Sequence, residues 1–193
     1  MFAAICKLSL RLLGWRLDPR VPEISRYVLI GYPHTSNFDF VLAMLARGAL
    51  QYKFRFVAKH TLFWWPLGAV MRSLGGIPVD RRVSTGFIAQ LAERFNQAQQ
   101  SDTPLVIGLM PEGTRSLQPH WKTGFYYLAK AAGVPIVPAY IDYRSHQIGL
   151  GMPIYTTNDR QRDLEKIQEF YSDVHGRFPK KATPIQFKDD SAV

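Results

Sequence analysis

Apolar residues fall along this chain in two alternating rhythms. Compact apolar runs at 27–32, 54–58, 76–79, 105–110, 134–143 and 147–154 have the length and composition of strands. Between them, apolar positions recur three and four residues apart at 37–52, 62–74, 85–100 and 124–132, the period of a helix with one buried face. A more charged helix is expected over 159–174, with Thr157 or Asn158 as its N-cap. Strand and helix in alternation predict an α/β fold: a single domain whose mixed, mostly parallel sheet is flanked by helices. Ligands in such sheets bind at the carboxyl ends of strands. Pro33-His34, Asp80-Arg81, Pro111-Glu112 and Pro138-Ala139 all fall at or near such ends.

The two ends of the chain break this rhythm. Residues 1–17 are apolar but carry Lys7, Arg11 and Arg16, and no A-x-A-like cleavage site follows them. The stretch falls short of the about 20 apolar residues that cross a bilayer. As a helix it places Ile5, Leu8, Leu12 and Trp15 on one face and Lys7 and Arg11 on a narrow basic stripe. That pattern suits a lipid–water interface, and equally a helix docked on the protein's own core. Leu62-Phe-Trp-Trp-Pro-Leu67 leaves the same two options open. Three segments follow: an N-terminal amphipathic helix over 1–20, the α/β domain over 21–178, and a polar tail over 179–193 expected to be loosely held.

Composition narrows the partners. An apolar fraction of 47% in 193 residues excludes a disordered chain, and the net charge of +9 calls for an anionic partner. Nucleic acid, an anionic membrane face and a phosphorylated or acidic small molecule all qualify. The basic residues are scattered, however, and no helix-turn-helix, zinc-finger or RRM signature accompanies them. Cys6 is the only cysteine, so no internal disulfide can form. His120, His146 and His175 lack metal-ligand spacing, and no metal is expected.

Two constellations carry chemistry. In His34-Thr-Ser-Asn-Phe-Asp39, a histidine on a strand-ending loop precedes a carboxylate at the start of a helix. Asp39 could accept the proton of one ring nitrogen and leave the other as a general base for a hydroxyl. Ser36-x-x-Asp39 also fits a capping box, in which case Asp39 only caps the helix. In Pro111-Glu-Gly-Thr-Arg-Ser116, Arg115 could clamp a phosphate, while Glu112 could bind a glycerol hydroxyl or pair with the arginine. Two further segments, Gly75-Gly-Ile-Pro-Val-Asp-Arg-Arg82 and Val134-Pro-Ile-Val-Pro-Ala139, add cations and an apolar strand. No G-x-S-x-G, G-x-x-x-x-G-K-[ST] or G-x-G-x-x-G occurs, which argues against a serine hydrolase or a nucleotide-binding enzyme.

In this order the four segments resemble the blocks of the glycerolipid (lysophospholipid) acyltransferase family. His34 and Asp39 match its H-x4-D, and Gly76-Ile-Pro-Val-Asp-Arg81 its second block. Pro111 to Ser116 match the third, Val134 to Pro138 the fourth, and Trp121-Lys-Thr-Gly124 is similar to the F-K-x-G after the third. The family often has Asn where Pro33 stands and Ser-Trp where Asn37-Phe38 stand. The resemblance implies an O-acyltransferase with His34 as general base and Asp39 as its orienting partner. It implies that Arg81, Glu112, Gly113, Thr114, Arg115 and Lys122 bind the acceptor, and that the fourth block helps to form the acyl or donor pocket. The donor would be acyl-CoA or acyl-carrier protein, with no acyl-enzyme, metal or other cofactor. The acceptor would be a lysophospholipid, 1-acyl-sn-glycerol-3-phosphate first, giving phosphatidic acid. Such a protein would work peripherally or monotopically on the cytoplasmic face of an anionic membrane, and not on nucleic acid. A different lipid acceptor is the nearest alternative; a non-catalytic basic protein that binds membrane or nucleic acid is the alternative of another class.

Overall fold

In the computed structural model, which describes residues 1–80 and 86–188, helix α1 (Phe2–Leu12) leads into a two-residue strand β1 (Arg16–Leu17). Strand β2 (Arg26–Gly31) and helix α2 (Phe38–Ala49) follow, then β3 (Arg55–Lys59), α3 (Leu67–Ser73) and β4 (Gly76–Val79). Next come α4 (Phe87–Gln100), β5 (Leu105–Leu109), α5 (Gly124–Ala132), β6 (Ile136–Asp142), β7 (Gln147–Leu150) and α6 (Arg160–Tyr171). The strands form one sheet in the order β1-β7-β6-β2-β5-β3-β4. All neighbours are parallel except β6 and β7. This is the mixed, mostly parallel α/β architecture that the sequence pattern predicts.

Strand β2 lies at the centre because it is apolar on both faces, as a parallel strand covered on both sides must be. Val28 and Ile30 enter the core beneath α4, α5 and α6, while Tyr27 and Leu29 enter a second cluster on the opposite face. Helix α2 covers part of that second face, and α1 packs across it through Cys6 and Leu10. The two helices approach closely at Gly48, where an added Cβ would lie 2.5 Å from Cys6 Sγ. Helices α2 and α5 thus leave from opposite faces of neighbouring strands β2 and β5. The loops that follow these two strands meet at the carboxyl edge of the sheet, where ligands of such folds bind.

Several local expectations are corrected. The helix expected over 62–74 is a single 3₁₀ turn (His60–Leu62) followed by α3, because Pro66 cannot donate the amide that a continuous helix requires. The N-cap of α6 is Asp159, whose carboxylate accepts the Arg162 N–H at 3.0 Å. Thr157 instead binds the buried Asp163 through its N–H and hydroxyl. Trp15 does not share the exposed face of α1: it lies beyond the helix, buried against Tyr143.

The tail is the largest difference. Residues 179–188, expected to be loose, run along the sheet's carboxyl edge, with Thr183 fully buried. The Trp121 N–H donates to the Gln186 carbonyl at 2.8 Å, and Phe187 bridges back to Trp121. Residues 189–193 lie outside the described residues. At the other end, Ile5, Leu8 and Leu12 stay exposed on the side of α1 away from α2, so the helix is docked by one apolar face and shows another. Among the described residues no helix is long and apolar enough to cross a membrane.

Candidate active site

His34 stands in the loop between β2 and α2. Its Nδ1 lies 3.1 Å from Asp39 Oδ2. A carboxylate can only accept, so this contact places the ring proton on Nδ1 and leaves Nε2 as the basic nitrogen. Nε2 has no hydrogen-bond partner among the described residues, and the side chain is one-fifth exposed (20%). The pair therefore has the geometry of a base with an orienting carboxylate.

Asp39 meets the capping expectation in part, since the N-cap of α2 is Asn37, which makes no side-chain cap bond. Asp39 Oδ2 accepts the Thr35 N–H at 3.0 Å and the Ser36 N–H at 2.9 Å, and Ser36 Oγ accepts the Phe38 N–H at 3.1 Å. The two readings of Asp39 are thus one arrangement. Asp39 sits in the first turn of α2 and accepts the two loop amides ahead of the helix, which fixes its carboxylate and aims it at His34. Its other oxygen, Oδ1, accepts the Tyr143 hydroxyl at 2.6 Å.

Glu112 holds the same loop from the neighbouring strand. It follows β5, is only 1% exposed, and accepts the His34 N–H through Oε1 at 2.6 Å. Its Oε2 accepts the Thr183 N–H at 2.9 Å. Burial pushes its carboxyl above the ordinary range, partly offset by these two amides. With both oxygens turned to backbone, Glu112 neither faces an acceptor hydroxyl nor pairs with Arg115. The expectation that it binds substrate is replaced by a positioning role for the His34 backbone.

The remaining residues of the third block form the rim. Gly113 has φ +68°, so glycine is required by conformation, and an added Cβ would come within 2.9 Å of Lys122 Cε, which would have to shift. Lys122 thereby lies against the loop, its N–H bound to the Pro111 carbonyl at 2.9 Å. Thr114 Oγ1 accepts the Ser116 N–H at 3.4 Å, a local turn. Arg115 is exposed, with no ion pair or hydrogen bond among the described residues. Arg81 lies outside the described residues. Of the fourth block, Ile136 and Val137 are fully buried core beside β2, while Pro138 lines an open groove of about 830 Å³ with Tyr140, Met152 and Phe170.

Several contributors had no signal in the sequence. Phe178 N–H donates to Thr35 Oγ1 at 3.1 Å, Thr183 serves Glu112, and the Tyr143 N–H donates to the His175 carbonyl at 2.8 Å. Residues 175–183 thus close over the loop that carries His34. Tyr143, one residue past β6, was within reach: it follows the Val134–Pro138 block onto the same sheet edge.

A sequence model of the Acyltransferase family matches residues 18–142. The chain is 34% identical over 151 residues to the 1-acyl-sn-glycerol-3-phosphate acyltransferase of Haemophilus influenzae, covering 72% of this chain and 59% of that protein. It is 35% identical over 125 residues to the enzyme of the same name from Escherichia coli strain K12, covering 61% of this chain and 47% of that protein. It therefore spans about half to three-fifths of the length of the curated relatives it matches. Its fold is similar to the crystal structure of the 1-acyl-sn-glycerophosphate (LPA) acyltransferase PlsC from Thermotoga maritima. The TM-score is 0.57 at 18% identity, over 88% of this chain and 74% of that one.

Proposed function

The chain belongs to the Acyltransferase family, and we propose that it moves a fatty acyl group from acyl-CoA or acyl-carrier protein to the hydroxyl of a lysophospholipid. The leading acceptor is 1-acyl-sn-glycerol-3-phosphate, which would become phosphatidic acid. One observation carries this reading: the His34 Nδ1–Asp39 Oδ2 contact at 3.1 Å leaves Nε2 free on the same sheet edge as the exposed Arg115.

The chemistry follows from that geometry. Nε2 of His34 takes the proton of the acceptor hydroxyl as the oxygen attacks the thioester carbonyl. Asp39 stabilises the imidazolium that forms. The tetrahedral intermediate collapses by breaking the carbon–sulfur bond, and the departing thiolate takes the proton back from His34. Transfer is direct, with no acyl-enzyme and no metal. Arg115 and Lys122 supply the cations for a phosphate, and Glu112 keeps the histidine loop in place.

The acceptor is tested through Arg115. A guanidinium–phosphate contact contributes about 1.5–3 kcal/mol, so Arg115→Ala should raise KM for lysophosphatidate roughly 10- to 100-fold. Transfer to a neutral monoacylglycerol should change little. An equal loss on both acceptors would assign Arg115 a structural role.

The exposed face of α1 supports peripheral attachment to a membrane, on its cytoplasmic face in this proposal. Ile5, Leu8 and Leu12 line that face, with Lys7 and Arg11 beside them. Burying one such side chain contributes about 1.5–3 kcal/mol. The pair Leu8→Glu and Leu12→Glu should therefore weaken binding to anionic vesicles more than about tenfold without lowering Tm. Vesicle binding equal to wild type, or tighter binding to duplex DNA than to vesicles, would contradict the membrane assignment.

A further inference from the structure

We propose that Tyr143 is a positioning residue for the transfer reaction, fixing the Asp39 carboxylate by Oδ1 so that Oδ2 stays turned to His34. The proposal rests on the reading of His34 and Asp39 as the reacting pair. Tyr143 lies just outside the segment that matches the family, residues 18–142.

The contacts divide Asp39 cleanly. Oδ2 serves His34, Thr35 and Ser36, all within the loop that the carboxylate caps. Oδ1 has one partner among the described residues, the Tyr143 hydroxyl at 2.6 Å, which comes from the end of β6, the strand beside β2. A carboxylate capped on one oxygen alone can rock about its Cβ–Cγ bond. A second donor on the other oxygen removes that freedom. Tyr143 is itself held. Its ring packs edge-on against Trp15 at 4.9 Å and 87°, and its N–H is bound to the His175 carbonyl. Trp15 in turn is buried, its N–H bound to the Leu10 carbonyl at 2.8 Å. The carboxylate is thus braced from α1 as well as from its own loop.

The hydroxyl remains a donor across the working pH range, because burial and the adjacent carboxylate push the phenol well above its ordinary pKa. Donation to Asp39 offsets part of the carboxylate's negative charge and so moderates its pull on the imidazolium. Losing the hydroxyl should therefore make His34 easier to protonate. The other ionisable groups facing this cluster are Glu112, bound to the His34 N–H, and Arg177, which lies over the Phe38 ring and near Tyr143.

Tyr143→Phe keeps the ring on Trp15 and removes only the hydroxyl. We expect kcat to fall about tenfold with KM within about twofold, and the acid limb of kcat/KM to move to higher pH. The His34 ring titration, followed by NMR without substrate, should move in the same direction. That second readout separates the two readings: it tests Tyr143 even if the protein transfers acyl groups to none of the acceptors tried. A Tyr143→Phe protein with wild-type His34 titration would overturn the proposal, even with a lowered Tm, because the contact would then serve the fold alone.

Discussion

His34→Ala should lower kcat for acyl transfer by about 10²–10⁴-fold while leaving KM nearly unchanged, measured with purified protein, a thioester donor and lysophosphatidate. The size of the loss follows from the role: a positioned general base is the group that makes a neutral hydroxyl nucleophilic at neutral pH. The fold should survive the change. His34 lies on a loop, is one-fifth exposed (20%), and is not part of a core cluster. Removing the ring leaves Asp39 with the Thr35 and Ser36 amides and the Tyr143 hydroxyl, so no buried carboxylate is stranded. A loss of activity at unchanged Tm is then a loss of chemistry. Transfer within about twofold of wild type would remove His34 from the mechanism.

Glu112→Ala should act on fold and activity together. Truncation strands the His34 and Thr183 amides, and each buried donor left without a partner costs about 1–3 kcal/mol. The sum, about 2–6 kcal/mol, corresponds in a chain of this size to a Tm lower by roughly 4–24 °C. Well below the new Tm, transfer should still fall at least about tenfold, because the loop that aims His34 has lost its anchor in β5. The change should appear in kcat for every acceptor. If Glu112 instead touched the acceptor, as its motif first suggested, Tm would hold and KM would rise for hydroxyl-bearing acceptors. Thermal melts and acceptor kinetics on one preparation distinguish the two outcomes.

These two residues show what the sequence could and could not convey. The central strand was legible because Tyr27 to Ile30 are all apolar, a run that only a doubly covered strand buries. Helix α5 emerged with its full bounds, since its period is regular and Gly133 closes it in the left-handed conformation. The His34–Asp39 spacing pointed to the dyad, and the structure brings the two side chains together.

The misreadings have a shared cause. Glu112 carries a charge, so it was matched with Arg115 or with a substrate hydroxyl. Its true partners are two backbone amides, and a sequence does not show which amides lack one. Thr183 was invisible for the same reason: it meets Glu112 only after the chain has wrapped back along the sheet edge. Trp15 matched a helical face by period, but α1 ends at Leu12 and the turn that follows sends the indole inward. The short strand β1 has no pattern at all, since its two residues gain their place from β7. Periodicity reports the face of an element; it does not report which buried polar atoms need each other.

The most direct test of direct transfer is a paired time course on the purified wild-type chain, with lysophosphatidate and a long-chain acyl thioester. Free thiol and new lipid ester are followed in the same samples. The account predicts one ester formed for each thiol released, from the first turnover, with no acylated protein and with both signals lost in His34→Ala. Thiol release without ester, a burst of acylated protein, or equal rates with and without His34 would contradict it.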